Sequence, residues 1–346
     1  MGGRIDMKRI ASLFVACATA VALAACSGTA NDPNDPGSAN GAPAGDFQPV
    51  SIKHALGTAE IKEKPERIVT IGQGSAEIAI AMGHTPVAIQ SYAWGSDASG
   101  YLPWVKEAVE ERGGELPEQF EGDDALSAEE ILGYKPDVIL APWSGITQEQ
   151  YDQLSEIAPT IAYEKEPWTI TWEEQVDMIA KALGEPDKAQ AVKDDVKAAF
   201  EEQSEENYGN YTFSYIYNDG PQNLGIFLPN EQRVAFVSNL GLKVDDVYKQ
   251  FPEVPGTDSA ELSKENADAL SSADLIFTFY TDEANRDEMH KDPVYSRIKA
   301  IEKGAEVAST DQSLVTASSI INPLTVRWAA PRFKELIDVA IANANK

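Results

Sequence analysis

The sequence predicts an α/β protein of two similar lobes joined by a single long helix, with a ligand cleft between the lobes. Three observations carry this. Short β-branched runs alternate with short helical patterns from residue 67 to 164. A breaker-free helical stretch follows at 186–207, and the alternation restarts at 212. Strands alternating with helices mark parallel βαβ units, whose ligands bind outside the carboxyl ends of the strands.

Composition narrows the class. The chain has 346 residues, with 28 Lys+Arg against 56 Asp+Glu, a formal charge of −28. Nucleic acid and anionic membrane surfaces would be repelled by that sign. Hydrophobic residues at 43% and aromatics at 8% exclude fibrous and disordered classes. The length suits about two domains of roughly 100–200 residues each. The two cysteines, Cys17 and Cys26, cannot build a disulfide scaffold or a Cys-rich zinc site.

The first segment, residues 1–25, reads as an export signal. Arg4, Lys8 and Arg9 precede an uncharged apolar run from Ile10 to Ala25, shorter than the ~20 residues a membrane span requires. The run ends Leu23-Ala24-Ala25-Cys26 and resembles the bacterial lipoprotein signal, in which the cysteine is acylated and becomes the new N-terminus. Cleavage there removes Cys17, so no intramolecular disulfide remains possible. Residues 26–49 then form the lipidated cysteine and a tether, of which 27–46 is dense in Gly, Pro, Asn, Asp, Ser and Ala and holds no large apolar side chain to pack. An anchored cysteine, a tether and a soluble body place the protein's work just outside a membrane.

The body divides into an N-terminal lobe (50–170), a helical segment (171–208) and a C-terminal lobe (209–346). In the first lobe the strands are RIVTIG (67–72), PVAIQSY (86–92), KPDVILAP (135–142) and TIAYE (160–164). SAEIAIAMG (75–83) and LSAEEILGY (126–134) have helical spacing. TWEEQVDMIAKALG (171–184) is an amphipathic helix stopped by Gly184, and 186–207 is a helix of about 20 residues, or roughly 30 Å. In the second lobe TFSYIY (212–217), LGIFLP (224–229), DLIFTFY (274–280) and AEVAS (305–309) are strands. Helices are expected around 232–240 and 330–342. A weak internal repeat sets Ser127-Ala-Glu129 before PDVIL and Ser263-Lys-Glu265 before ADLIF.

The stretches HALGTAEIKEKPERIVTIG, SAEIAIAMGHTPVAI and SAEEILGYKPDVILAPW, followed by the long helix, are similar to the periplasmic binding proteins for iron-siderophore and cobalamin uptake. The resemblance covers residues 50–345 and is thinner in the second lobe, where KDPVYSRIKAIEKGAEV is the best piece. It implies a monomeric, non-enzymatic receptor that captures a ferric chelate between the lobes and delivers it to an ABC permease. It also implies that Glu129 and Glu265, one at the tip of each lobe, pair with permease arginines, with Glu261 as a competitor for Glu265.

Other chemistries find little footing in the sequence. GQG (72–74) matches part of a dinucleotide fingerprint, but Glu77 occupies the third glycine position and would face a pyrophosphate, so a tight βα turn is expected. No GxSxG, HExxH or Walker pattern occurs. His54, His84 and His290 lie in separate segments, so no bare metal site and no cofactor are expected; iron would arrive already wrapped. A wrapped chelate is large and partly apolar, and aromatic rings suit it. Tyr92, Trp94, Trp143, Tyr217 and Tyr280 fall at strand ends, and Arg327-Trp328 falls before the last helix. These residues, with Arg233, are the candidate ligand contacts. The loops 72–75 and 92–101 hold no Arg or Lys, which disfavours trianionic ferric catecholates and favours ferric hydroxamates. The alternatives are a cobalamin or haem receptor of the same fold, or an exported hydrolase or oxidoreductase.

Overall fold

The computed structural model describes residues 47–218 and 224–346; the export signal, Cys26 and the tether up to residue 46 lie outside the described residues. The chain enters through an antiparallel hairpin, β1 (Val50–His54) and β2 (Gly57–Ile61), whose alternation buries Ile52, His54, Ala59 and Ile61. The first lobe follows as β3 (Ile68–Thr70), α1 (Ser75–Ala81), β4 (Ala88–Gln90), α2 (Pro103–Glu111), β5 (Glu118–Phe120), α3 (Ala128–Gly133), β6 (Val138–Leu140), α4 (Gln148–Ser155) and β7 (Thr160–Ile161). The strands form one parallel sheet in the order β5-β4-β3-β6-β7. IVT, AIQ and VIL are buried at every position, as helices on both faces of a parallel sheet require.

α5 (Trp172–Ala182) starts with a capping box between Thr171 and Glu174. After a single 3₁₀ turn at Pro186–Lys188, α6 runs from Ala189 to Glu201. Its 13 residues make it shorter than the 20 expected from the sequence. Glu201, Glu202, Glu205 and Glu206 crowd its carboxyl end, where the helix dipole disfavours anions. Its apolar stripe does the joining. Ala189 and Val192 pack with the β1-β2 and α5 side of the first lobe, while Val196, Ala199 and Phe200 enter the core of the second.

The second lobe comprises β8 (Thr212–Asn218), β9 (Leu224–Phe227), α7 (Gln232–Asn239), β10 (Lys243–Val244), β11 (Ser259–Glu261), β12 (Leu275–Phe279), α8 (Glu283–Lys291), α9 (Lys299–Glu302), β13 (Glu306–Ser309), α10 (Gln312–Ser318) and α11 (Pro323–Ala344). Its sheet runs β11-β9-β8-β12-β13, with β10 beside the start of β8. β8, β12 and β13 are parallel, but β9 runs antiparallel to both its neighbours, β8 and β11, so this half is not a pure βαβ repeat of the first. α11 begins seven residues before the predicted 330. Asn322 caps it with a capping box to Thr325, and Pro331 sits inside the helix. Ala76, Ile80, Leu102, Trp104 and Val105 of the first lobe share one apolar cluster with Val326, Ala329 and Phe333 of α11. The two lobes are thus braced by a common core behind the cleft as well as by α6.

Candidate functional site

A cleft of about 760 Å³ opens at the carboxyl ends of the strands, lined from both lobes. Its floor depends on glycine. Gly72 has φ +80, and a Cβ there would lie 2.0 Å from the Trp143 carbonyl oxygen, so only glycine lets the loops after β3 and β6 meet. The Gly72 N–H donates to Gln90 Oε1 at 2.9 Å. Gln90 is itself nearly buried and lines the cleft.

Of the sequence-selected residues, Tyr92, Trp94, Trp143 and Arg233 line this cleft. Tyr92 and Trp94 lie on the loop after β4, and Trp143 on the loop after β6. Burial, reinforced by the charges of Glu77 and Asp123, pushes the Tyr92 phenol well above its usual range. It therefore stays protonated and can donate to a ligand oxygen. The Trp143 ring meets Trp168 edge-on at 4.8 Å, and its Nε1 is buried without a partner among the described residues. Arg233 donates from Nη1 to Glu231 Oε1 at 2.5 Å and lies over the rings of Phe227 and Phe279 at 4.9 and 5.6 Å. Burial pushes the Glu231 carboxyl up, and Arg233 opposes that shift. Glu231 also caps α7, accepting from the backbone of Arg233 and Val234.

The structure does not bring the other four into this cleft. Tyr217 sits opposite Gly225 in the β8-β9 pair; its ring packs on Phe227 at 4.7 Å and its hydroxyl meets Ser259 at 3.1 Å. β9 pairs antiparallel with β8, so the last aromatic of β8 covers the neighbouring strand. Tyr280 is 1% exposed and donates to Glu306 Oε1 at 2.5 Å, with Tyr295 at 2.7 Å. Strand alternation sends Phe279 to the cleft and Tyr280 into the lobe. Arg327 and Trp328 belong to the second turn of α11, behind the cleft. Arg327 Nε donates to Asp195 of α6 at 2.9 Å, and Trp328 Nε1 donates to Glu107 of α2 at 3.2 Å. They tie helices together. The helix starts at Pro323 and not at 330, so these two residues lie on it instead of in a loop before it.

Several cleft residues escaped the sequence reading. Phe279 is one residue from a chosen aromatic. Trp168, 44% exposed with φ +65, follows Pro167 in a stretch without periodicity. Glu231 is a helix cap that also turns toward the cleft.

The remaining groups fit structural roles. Gly72 and Gly74 both have positive φ, as the tight turn requires, and Glu77 is buried, accepting from Trp104 Nε1 at 3.0 Å. His84 pairs with Glu185 and His290 with Glu306, each at 3.0 Å, while His54 is buried against the Tyr151 ring. Among the described residues no cluster of three His, Cys, Asp or Glu is placed to hold a metal. Glu129 is exposed on α3, Glu265 is exposed on the 3₁₀ stretch Lys264–Ser272, and Glu261 is exposed at the end of β11.

Two α/β lobes braced from behind, with an aromatic cleft at facing strand ends, have the architecture of a two-lobe binding protein. The chain belongs to the periplasmic binding protein family, whose model matches residues 68–313. It is 30% identical to Streptococcus pneumoniae TIGR4 PiaA, solved in complex with ferrichrome, with a TM-score of 0.74 over 85% of this chain and 99% of that one. It is 26% identical to Staphylococcus aureus SirA, solved complexed with staphyloferrin B, with a TM-score of 0.61 over 86% and 98%. It is also 26% identical over 181 residues to Bacillus subtilis (strain 168) YhfQ, whose name assigns it provisionally to the ABC transporter substrate-binding lipoproteins. That match covers 51% of this chain, which spans about half the length of this curated relative.

Proposed function

We propose that the protein is an exported receptor, lipid-anchored through Cys26, that captures a ferric hydroxamate siderophore and hands it to an ABC permease for iron uptake. It acts as a monomer on the outer face of the cytoplasmic membrane and carries out no chemistry on the ligand. Iron enters bound by the chelate and no resident cofactor is involved.

One observation carries the choice of ligand. Among the described residues Arg233 is the single cation lining the cleft, and Glu231 neutralises it at 2.5 Å. Glu121, Asp123 and Asp258 line the same cleft, so its field is negative. A trianionic catecholate would enter against that field, whereas a neutral or cationic hydroxamate would not. Tyr92, Trp143, Trp168 and Phe279 supply ring faces for a partly apolar chelate. The ferrichrome complex of the relative at 30% identity supports the same ligand class.

Tryptophan fluorescence tests this, because Trp94, Trp143 and Trp168 all line the cleft. Titration with ferrichrome, ferrioxamine B, a ferric tris-catecholate, haem and cobalamin should give saturable one-to-one quenching with the first two. Saturation by haem or cobalamin alone would overturn the reading.

A further inference from the structure

A second chamber of about 620 Å³ adjoins the cleft, and Trp168, Gln232 and Asp258 line both. It lies between the Trp168–Glu173 stretch of the first lobe and α7 of the second. Trp168 stands at the junction. Its φ of +65 is costly for a bulky side chain, and its ring is held edge-on by Trp143 at 4.8 Å.

The chamber's chemistry is one-sided. Trp168 and Trp172 offer ring faces, Asp258 and Glu173 offer carboxylates, and no Lys or Arg among the described residues lines it. Asn230 donates to Asp258 Oδ1 at 2.5 Å, which orients that carboxylate and leaves Oδ2 without a partner among the described residues. No ion pair of the described residues engages Asp258 or Glu173. Two indoles beside two unpaired carboxylates suit an ammonium group, through ring quadrupoles and opposite charge together.

We infer that this chamber receives a cationic arm of the ligand: the protein is built for a linear ferric hydroxamate with a terminal ammonium, its iron core in the cleft and its arm passing Trp168 into the chamber. The inference rests on the hydroxamate reading above and deepens it. Cyclic chelates without such an arm occupy the cleft alone.

The test compares ferrioxamine B, whose terminal amine is protonated at neutral pH, with its N-acetylated form and with ferrichrome. Wild-type protein should bind the free amine about tenfold more tightly than the acetylated form. Glu173→Gln should shrink that ratio while leaving ferrichrome affinity unchanged. Ala235→Phe, which fills the chamber from α7, should weaken ferrioxamine B and spare ferrichrome. Equal affinity for the free and acetylated amines in the wild type would overturn the inference while the hydroxamate reading stands. If none of the three chelates binds, the hydroxamate reading falls and the inference falls with it.

Discussion

Asp137 and Asp274 make the same contact in the two lobes. Oδ2 of Asp137 accepts the backbone N–H groups of Glu66 and Arg67 at 3.0 and 2.9 Å, just before β3. Oδ2 of Asp274 accepts the N–H and hydroxyl of Thr212 at 2.9 and 3.0 Å, at the start of β8. Each carboxylate thus pins the central strand of its lobe, β3 or β8, to the strand beside it, β6 or β12. Either Asp→Ala change should cost about 1–2 kcal/mol in chemical denaturation, because backbone donors at a strand start lose their acceptors. A loss in one lobe only would show that the two clasps are not equivalent.

The buried carboxyl of Glu77 makes stability depend on pH. Burial pushes it above its ordinary range, although the Trp104 N–H opposes the shift. The folded protein therefore holds this proton more tightly than the unfolded chain does. Its stabilising contribution is complete below the unfolded carboxyl value and is lost as pH rises through the raised one. Glu77→Gln keeps an acceptor for Trp104 and cannot ionise. The variant should melt higher than wild type at pH 8, by roughly 2–4 °C for each kcal/mol recovered, and the gap should close toward pH 4.

Gly95 meets the second lobe directly. The Ser313 hydroxyl donates to its carbonyl at 2.9 Å, and a Cβ on Gly95 would lie 2.7 Å from Thr316 Oγ1. Gly95→Val should hold the Tyr92–Trp94 loop away from α10 and speed ligand dissociation. Ser313→Ala removes only the hydrogen bond, worth about 1 kcal/mol, and should act less strongly. Stopped-flow fluorescence reads both, and an unchanged off-rate in Gly95→Val would mean that this contact does not close the cleft.

Glu129 and Glu265 are exposed on the short helical stretches that precede β6 and β12, outside the cleft. Ala at either position should leave ferric-hydroxamate affinity intact and lower cellular uptake of labelled chelate. The double Arg variant should be harsher still, since it sets like charges against a basic partner surface. Normal uptake by that variant, at normal surface abundance, would reduce both glutamates to solvated helix faces. Glu261→Ala serves as the comparison for the second lobe.

The sequence by itself determined the elements whose burial is written locally. IVT, AIQ, VIL and LIFTF are apolar runs bounded by turn residues, and their pattern alone marks buried strands. Tyr92 and Trp143 were legible as cleft residues because each lies on a βα loop, and such loops open at the ligand-binding edge of a parallel sheet. Tertiary structure decided what depends on partners far along the chain. Phe279 rather than Tyr280 faces the cleft because the pairing of β12 with β8 and β13 sets the side of each residue, and a shift of one reverses it. Tyr217 turns to a strand because β9 runs back antiparallel. Arg327 and Trp328 brace α6 and α2 because α11 starts at Pro323, capped by Asn322, and its first two turns pack between those helices. The chamber behind Trp168 exists only where residues 168–173 face α7 and Asp258, over 50 residues away in sequence, and no local pattern encodes that meeting.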